Sequence, residues 1–308
     1  MNRDTARPRR TSDPADGAAP AARPLRRPAW LTVAPVTGEG YRAIKDLVAR
    51  RHLHTVCEEA RCPNRHECWG ARTATLMLLG DRCTRGCAFC GVGKRREPLP
   101  PDPDEPARVA AAVRELGLRH AVLTSVTRDD LADGGAAHWA ATLRALRAAC
   151  PETTVEALVP DFGGDADALA RVLAEGPEVL SHNVETVPEL YPRARRDSDW
   201  ERSLALLARV AQAAGERPPR VKTGMMLGLG ESREQLLAAM ARLVDAGVEI
   251  LTLGQYLSPS RRHLPVARFV PPEEFEELKL LGEAMGLRHV ESGPFVRSSY
   301  HAERHLRV

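Results

Sequence analysis

Six of the seven cysteines in this 308-residue chain fall between Cys57 and Cys90, in two groups of three. Cys57, Cys62 and Cys68 are spaced C-x4-C-x5-C, and Cys83, Cys87 and Cys90 are spaced C-x3-C-x2-C. The number of thiols per group points to the chemistry. A closed structural zinc site takes four cysteine or histidine ligands at short paired spacings. Three thiolates on a four-iron cubane instead leave one iron free for a different ligand, and that open position is where chemistry can occur. A Cys3His zinc site would need a neighbour such as His66. Disulfides would need an oxidising compartment, yet the first residues contain no apolar signal-peptide core, so the chain is expected in the reducing cytoplasm. Cys150 belongs to neither group and reads as a small hydrophobe.

The second group reads Cys83-Thr84-Arg85-Gly86-Cys87-Ala88-Phe89-Cys90 and follows the apolar run Thr75-Leu76-Met77-Leu78-Leu79-Gly80. It is therefore predicted on a loop leaving the C-terminal end of a strand, where barrel enzymes place catalytic groups. C-x3-C-x2-C with an aromatic residue before the last cysteine resembles the radical S-adenosyl-L-methionine (SAM) superfamily. The resemblance implies that Cys83, Cys87 and Cys90 hold a 4Fe-4S cluster, that the amine and carboxylate of SAM chelate its fourth iron, and that Phe89 lies near the adenine.

Such a site needs a scaffold, and the composition supplies one. With 43% hydrophobic residues the chain can bury a sizeable core. Its net charge is +3, and residues 1–30 carry seven arginines against three aspartates, so the remainder is nearly neutral. A neutral body offers no nucleic-acid footprint. No apolar run approaches the length of a transmembrane helix, so no membrane partner is expected. Residues 1–28, rich in Arg, Pro and Ala, read as a disordered tail. A transit peptide is the competing reading, but Asp4, Asp13, Asp16 and the prolines oppose an acid-poor amphipathic helix. Order is predicted to begin near Pro28, with Trp30 as the anchor.

Residues 29–72 form an N-terminal extension: a helix over 40–53, marked by Tyr41, Ile44 and Leu47, and then a wrapping loop that carries the first cysteine group. From residue 73 to 288 strand and helix patterns alternate, with strands predicted at 74–79, 121–126, 154–159, 179–184, 221–227 and 250–256. Gly117, the Ser232/Gln235 capping box and Gly286 punctuate the helices between them. Alternation of this kind implies parallel pairing through right-handed crossovers. No G-x-G-x-x-G follows the first strand, which argues against an open dinucleotide-binding sheet. The predicted fold is α/β, a partial (β/α)6 TIM-type barrel, with residues 289–308 as a C-terminal segment that covers the mouth together with the N-terminal extension.

Residues expected at the mouth are Thr127, Arg128, Asp129 and Asp130, then His182, Asn183 and Glu185, then Lys222, Gln255 and Tyr256. Carboxylates and amides suit the amine, carboxylate and hydroxyls of SAM. Asp129, Asn183, Glu185 and Lys222 join Phe89 as candidate SAM contacts, with an ordinary salt bridge as the alternative for each.

Val122-Leu123-Thr124-Ser125-Val126-Thr127-Arg128-Asp129-Asp130-Leu131-Ala132-Asp133-Gly134-Gly135 and Gly293-Pro294-Phe295-Val296-Arg297-Ser298-Ser299-Tyr300, together with both cysteine groups, resemble the lipoyl synthase family over residues 30–302. The resemblance implies a second, auxiliary 4Fe-4S cluster on Cys57, Cys62 and Cys68 whose fourth ligand is a serine. Ser299 matches best and Ser298 is the runner-up. It also implies sulfur insertion at carbons 6 and 8 of an octanoyl chain, with the auxiliary cluster as the sulfur source. The chain would be linked to a lysine of a lipoyl carrier domain, of the glycine cleavage H protein or 2-oxoacid dehydrogenase E2 type. An electron donor such as ferredoxin or flavodoxin is implied as well. A different sulfur-inserting enzyme, similar to biotin synthase, would leave Cys57, Cys62 and Cys68 unexplained. A zinc-stabilised binding module is the alternative from another class.

Overall fold

The structure, a computed structural model, describes residues 25–32, 38–70, 73–95, 97–214 and 217–306. Most of the expected N-terminal tail, residues 1–24, lies outside them. Eight strands form one sheet in the spatial order His54–Thr55, Leu76–Leu78, His120–Ser125, Thr154–Leu158, Val179–Ser181, Arg220–Leu227, Ile250–Gln255 and His289–Gly293. The first pairs antiparallel to the second, and every later pairing is parallel. Spatial order thus follows chain order, so the winding never reverses. A doubly wound sheet reverses at a switch point, whereas a barrel does not. Among the described residues the two edge strands do not pair, which leaves the barrel open on one side.

The helices lie between the strands because their apolar stripes have a common core to cover. Val109 and Val113, Leu236, Met240 and Leu243, and Phe275 and Leu278 are buried against Leu123, Ala157, Leu180, Leu251 and Leu253 of the sheet. Their ends are fixed locally. Gly117 closes Glu105–Leu116 with a left-handed φ of 62°. Ser232 and Gln235 exchange both hydrogen bonds of a capping box ahead of Arg233–Asp245.

Three local expectations are corrected. The sheet has a seventh parallel strand, His289–Gly293, beyond the predicted end of the barrel at 288. Val290 is its one apolar side chain, so the strand lacks the alternation that reveals the others. The first cysteine group is not one wrapping loop. Cys57 lies in the short helix Val56–Glu59, whose Thr55 cap accepts from Glu58 N–H, and Cys68 lies in Arg65–Gly70. The N-terminal anchor is Leu31, 1% exposed, because the turn Ala29–Leu31 aims that side chain inward and leaves Trp30 half-buried.

Candidate active site

Both cysteine groups open onto one cavity of about 600 Å³ at the C-terminal mouth of the barrel, and Phe89, Asn183, Glu185, Ser298 and Ser299 share its wall. All seven cysteines are free thiols.

The loop Cys83–Cys90 is tied down at nearly every step. Thr84 N–H donates to Thr127 O, Ala88 N–H to Ala194 O and Lys94 Nζ to Cys87 O, while His263 Nε2 lies 3.0 Å from Cys90 O. Arg85, 6% exposed, anchors the loop from beneath by forked contacts to two carboxylates, Asp129 at 2.7 and 2.8 Å and Asp161 at 2.6 and 2.8 Å. Burial alone would raise the Asp161 carboxyl, but Arg85, then His182 and Arg202, hold it well below the usual carboxylate range.

That clamp corrects the expectation for Asp129. Its carboxylate also accepts from Thr84 Oγ1 at 3.0 Å, so it secures the cysteine loop from outside and is already committed. Lys222 is set apart as well. Its ammonium is fully buried and bonded at 2.8 Å to both oxygens of Glu156. Lys222 is the third residue of Arg220–Leu227, near the N-terminal end of a strand, whereas the mouth is built at the opposite ends.

Phe89, Asn183 and Glu185 do converge. Glu185 holds a left-handed φ of 67° and bridges in parallel to Met225, a costly backbone state for a non-glycine residue of the kind that gathers at functional sites. Burial raises its carboxyl, against the Arg195 guanidinium and the Asn183 amide 3.2 Å away. Nothing in the spacing of Arg193, Arg195 and Arg196 marks the middle one. Packing does, because Tyr191–Ala194 turns Arg195 inward, where it donates to Asn183 O and Tyr191 Oη, both at 2.9 Å. Its charge also bears on Cys87, which burial raises and Arg195 lowers.

The remaining wall comes from the far end of the chain. Asn183 Nδ2 donates to Ser298 Oγ at 2.6 Å, and Thr75 Oγ1 donates to Ser299 Oγ at 2.7 Å. Asn64 Nδ2 donates to Phe295 O, and Tyr300 Oη donates to Glu67 Oε1, so both bonds join the C-terminal segment to the one bearing the first cysteine group. Arg297 places its charge beside Cys62 and Glu185. Gly224 permits this close approach, since a Cβ there would meet Thr252 Oγ1 at 2.6 Å, Asn183 Oδ1 at 2.9 Å and Ser298 Oγ at 3.1 Å. Thr75 and Gly224 escape a reading of the sequence, because their roles exist only once the C-terminal segment lies against them.

The donor set suits iron–sulfur clusters better than zinc. Burial pushes the Cys57 thiol up to about 11 and the Cys68 and Cys90 thiols up to about 12, so these sulfurs need a bound cation to ionise at neutral pH. Among the described residues, neither trio brings all its sulfurs within 4.8 Å of one another. Tetrahedral zinc would hold them about 3.8 Å apart, while a cubane spreads its thiolates over separate irons. His66, the histidine a Cys3His site would use, stacks on Tyr41 with ring centroids 5.2 Å apart.

Comparison with known proteins agrees with this geometry. Residues 77–243 match the radical SAM superfamily, and residues 15–62 match the N-terminal domain of lipoyl synthase of that family. The chain is 51% identical over 280 residues to a lipoyl synthase of Chlorobaculum parvum, covering 91% of this chain and 95% of that one. It is 53% identical to a lipoyl synthase of Rubrobacter xylanophilus, covering 90% and 85%. Among solved structures, methylornithine synthase superposes with a TM-score of 0.51 at 15% identity, covering 80% of this chain and 81% of that one. The FeFe-hydrogenase maturase HydG of Carboxydothermus hydrogenoformans gives 0.54 at 15% identity, covering 70% and 52%. These two likenesses concern the fold alone.

Proposed function

Since the chain belongs to the lipoyl synthase family of the radical SAM superfamily, we propose that its two cysteine groups and Ser299 divide one reaction between them. The enzyme is a radical SAM sulfurtransferase that forms lipoyl groups. Cys83, Cys87 and Cys90 are assigned the cluster that binds SAM. Cys57, Cys62, Cys68 and Ser299 are assigned the auxiliary cluster. When bound, the first cluster supplies the electron that splits SAM into methionine and a 5'-deoxyadenosyl radical, and the second supplies sulfur.

This chain's residues bind, orient and shield. Phe89 offers an aromatic face to the adenine, while Asn183 and Glu185 offer an amide and a carboxylate to the polar end of SAM. Arg195 fixes Asn183 through its carbonyl and balances the charge of Glu185. The cavity wall is proposed to confine the radical beside the octanoyl chain, because a carbon radical able to attack an unactivated methylene would also take hydrogen from stray C–H or S–H groups. Ser299 supports the auxiliary assignment better than Ser298 does. Its partner Thr75 also reaches the Cys57 sulfur through its backbone, whereas Ser298 is held by Asn183 on the SAM side. An oxygen ligand is harder than thiolate and leaves iron more readily, as a site meant to release sulfur requires.

The substrate is proposed to be an octanoyl chain on a lysine of a lipoyl carrier domain, of the glycine cleavage H protein or 2-oxoacid dehydrogenase E2 type, receiving sulfur at carbons 6 and 8. The electron donor is proposed to be a ferredoxin or flavodoxin, and the location the cytoplasm. Among the described residues no helix is long and apolar enough to cross a membrane. The observation that carries this reading is that both thiol groups and Ser299 share one cavity. Anaerobic incubation with SAM, a reductant and an octanoylated lysine peptide tests it. The expected product has gained two sulfurs by mass, and an unchanged octanoyl peptide refutes the reading.

A further inference from the structure

Beyond Tyr300 the chain turns at His301, whose φ is left-handed at 51°, and the turn Ala302–Arg304 packs against the strand His120–Ser125. This brings His305 to the strand His289–Gly293, with the His305 and His289 ring centroids 5.2 Å apart. Glu291 lies between them. Its Oε2 is 3.2 Å from His289 Nε2 and 3.9 Å from His305 Nε2. Among the described residues these are the three metal-ligating side chains whose donor atoms all fall within 4.8 Å of one another.

His305 makes the cluster more than a surface coincidence. It is 0% exposed, and neither ring nitrogen has a hydrogen-bond partner. Buried polar groups are rarely left so, because an unpaired donor or acceptor away from water is costly. A second buried imidazole lies nearby: His120 Nε2 makes no hydrogen bond, lies 4.0 Å from Glu156 Oε2, and shares Glu156 and Lys222 with His305 as charged neighbours. Lys222 is bonded at 2.8 Å to Glu156, and the direct partners of Glu291 are the two histidines. The carboxylate therefore remains available to balance a cation.

We propose that His289, Glu291 and His305 form a binding site for a zinc ion that fastens the C-terminal end of the chain to the last strand of the barrel. Two imidazoles and one carboxylate are a zinc set with an open fourth position. Magnesium and calcium prefer oxygen ligands and would be poorly served. Ser298 and Ser299 lie in sequence between Glu291 and His305, so the ion closes a loop around the serines and limits how far they move from the cavity. The three ligands are separate from the cysteine cavity, and the site does not depend on how the cysteines are assigned.

The test uses protein with both cysteine sites loaded with iron and sulfide, so that free thiols do not capture zinc. Zinc is added at one equivalent against a competing chelator, zinc and iron are counted per chain, and the zinc-edge X-ray absorption spectrum is recorded. Expected are one retained zinc per chain with nitrogen and oxygen neighbours alone, and a loss of affinity of at least about 100-fold in His305→Ala and Glu291→Gln with iron content unchanged. The proposal is overturned if the parent protein retains no zinc, if sulfur appears around the zinc, or if His305→Ala binds zinc as the parent does. Should a variant fold poorly, shown by loss of iron, the spectrum of the parent protein decides alone.

Discussion

Thr75 donates its hydroxyl to Ser299 Oγ at 2.7 Å across 224 positions of sequence. Thr75 begins the approach to the first parallel strand and Ser299 follows the last one, so this contact spans the open side of the barrel. It also gives two adjacent serines different neighbours, since Ser298 turns the other way, to Asn183.

Ser299→Ala is expected to lower lipoyl formation at least tenfold while SAM cleavage continues. Ser298→Ala is expected to alter the KM for SAM more than the sulfur yield. Ser299→Cys should keep its auxiliary cluster yet release sulfur slowly, because thiolate grips iron more firmly than an alkoxide. Product mass and 5'-deoxyadenosine, measured in the same reactions, check this. Equal behaviour of the two alanine variants would make the division of labour between the serines wrong.

Cys83→Ala and Cys62→Ala should fail in different ways. The first is expected to abolish 5'-deoxyadenosine production. The second should retain some of it while making no dithiolated product, and its iron content should fall by about half if each trio holds four irons. SAM cleavage by Cys83→Ala at the parent rate would end the assignment of the second trio.

The buried pair of Lys222 and Glu156 predicts a stability effect rather than a SAM effect. Lys222→Met leaves the Glu156 carboxylate buried without its partner and should cost about 3–5 kcal/mol in denaturant unfolding. Lys222→Met combined with Glu156→Leu should recover most of that loss, because replacing both members of a buried pair is often neutral. A Lys222→Met protein of parent-like stability that fails to bind SAM would return Lys222 to the active site.

His182 gives the fold a pH dependence. Burial, then the charge of Arg195, lowers it from 6.5 to about 4, and its ring lies 2.9 Å from Val159 O and 3.0 Å from Ser203 Oγ. The folded value is below the unfolded one, so between pH 6.5 and 4 the unfolded chain binds the extra proton. Stability should fall as pH drops through that window, with a slope of up to about 1.4 kcal/mol per pH unit from this one group and about 3 kcal/mol in all. His182→Gln should remove that share of the slope in unfolding measured from pH 7 to pH 5. An identical slope in the variant contradicts it.

The sequence by itself determined the chemistry and most of the scaffold. Cysteine spacing is a local property, and three thiols per group already imply an open metal position. Strands near 121–126 and 250–256 and the capping box at Ser232 were legible because period and capping act over a few residues. Their order also required a parallel, barrel-like winding. Tertiary structure decided what depends on distant approach. His289–Gly293 was hidden because Val290 is its one apolar side chain and only the pairing with a neighbouring strand makes it a strand. Lys222 and Asp129 looked like ligands because sequence reports charge but not its partner, and packing gave the first to Glu156 and the second to Arg85. Arg195 became a site residue because a short helix turned it inward. Ser299 was separable from Ser298 by resemblance alone until the return of the C-terminal segment placed one beside Thr75 and the other beside Asn183. Side chains one residue apart in an irregular segment point to different neighbours, and no local pattern in the chain fixes which neighbour each will meet.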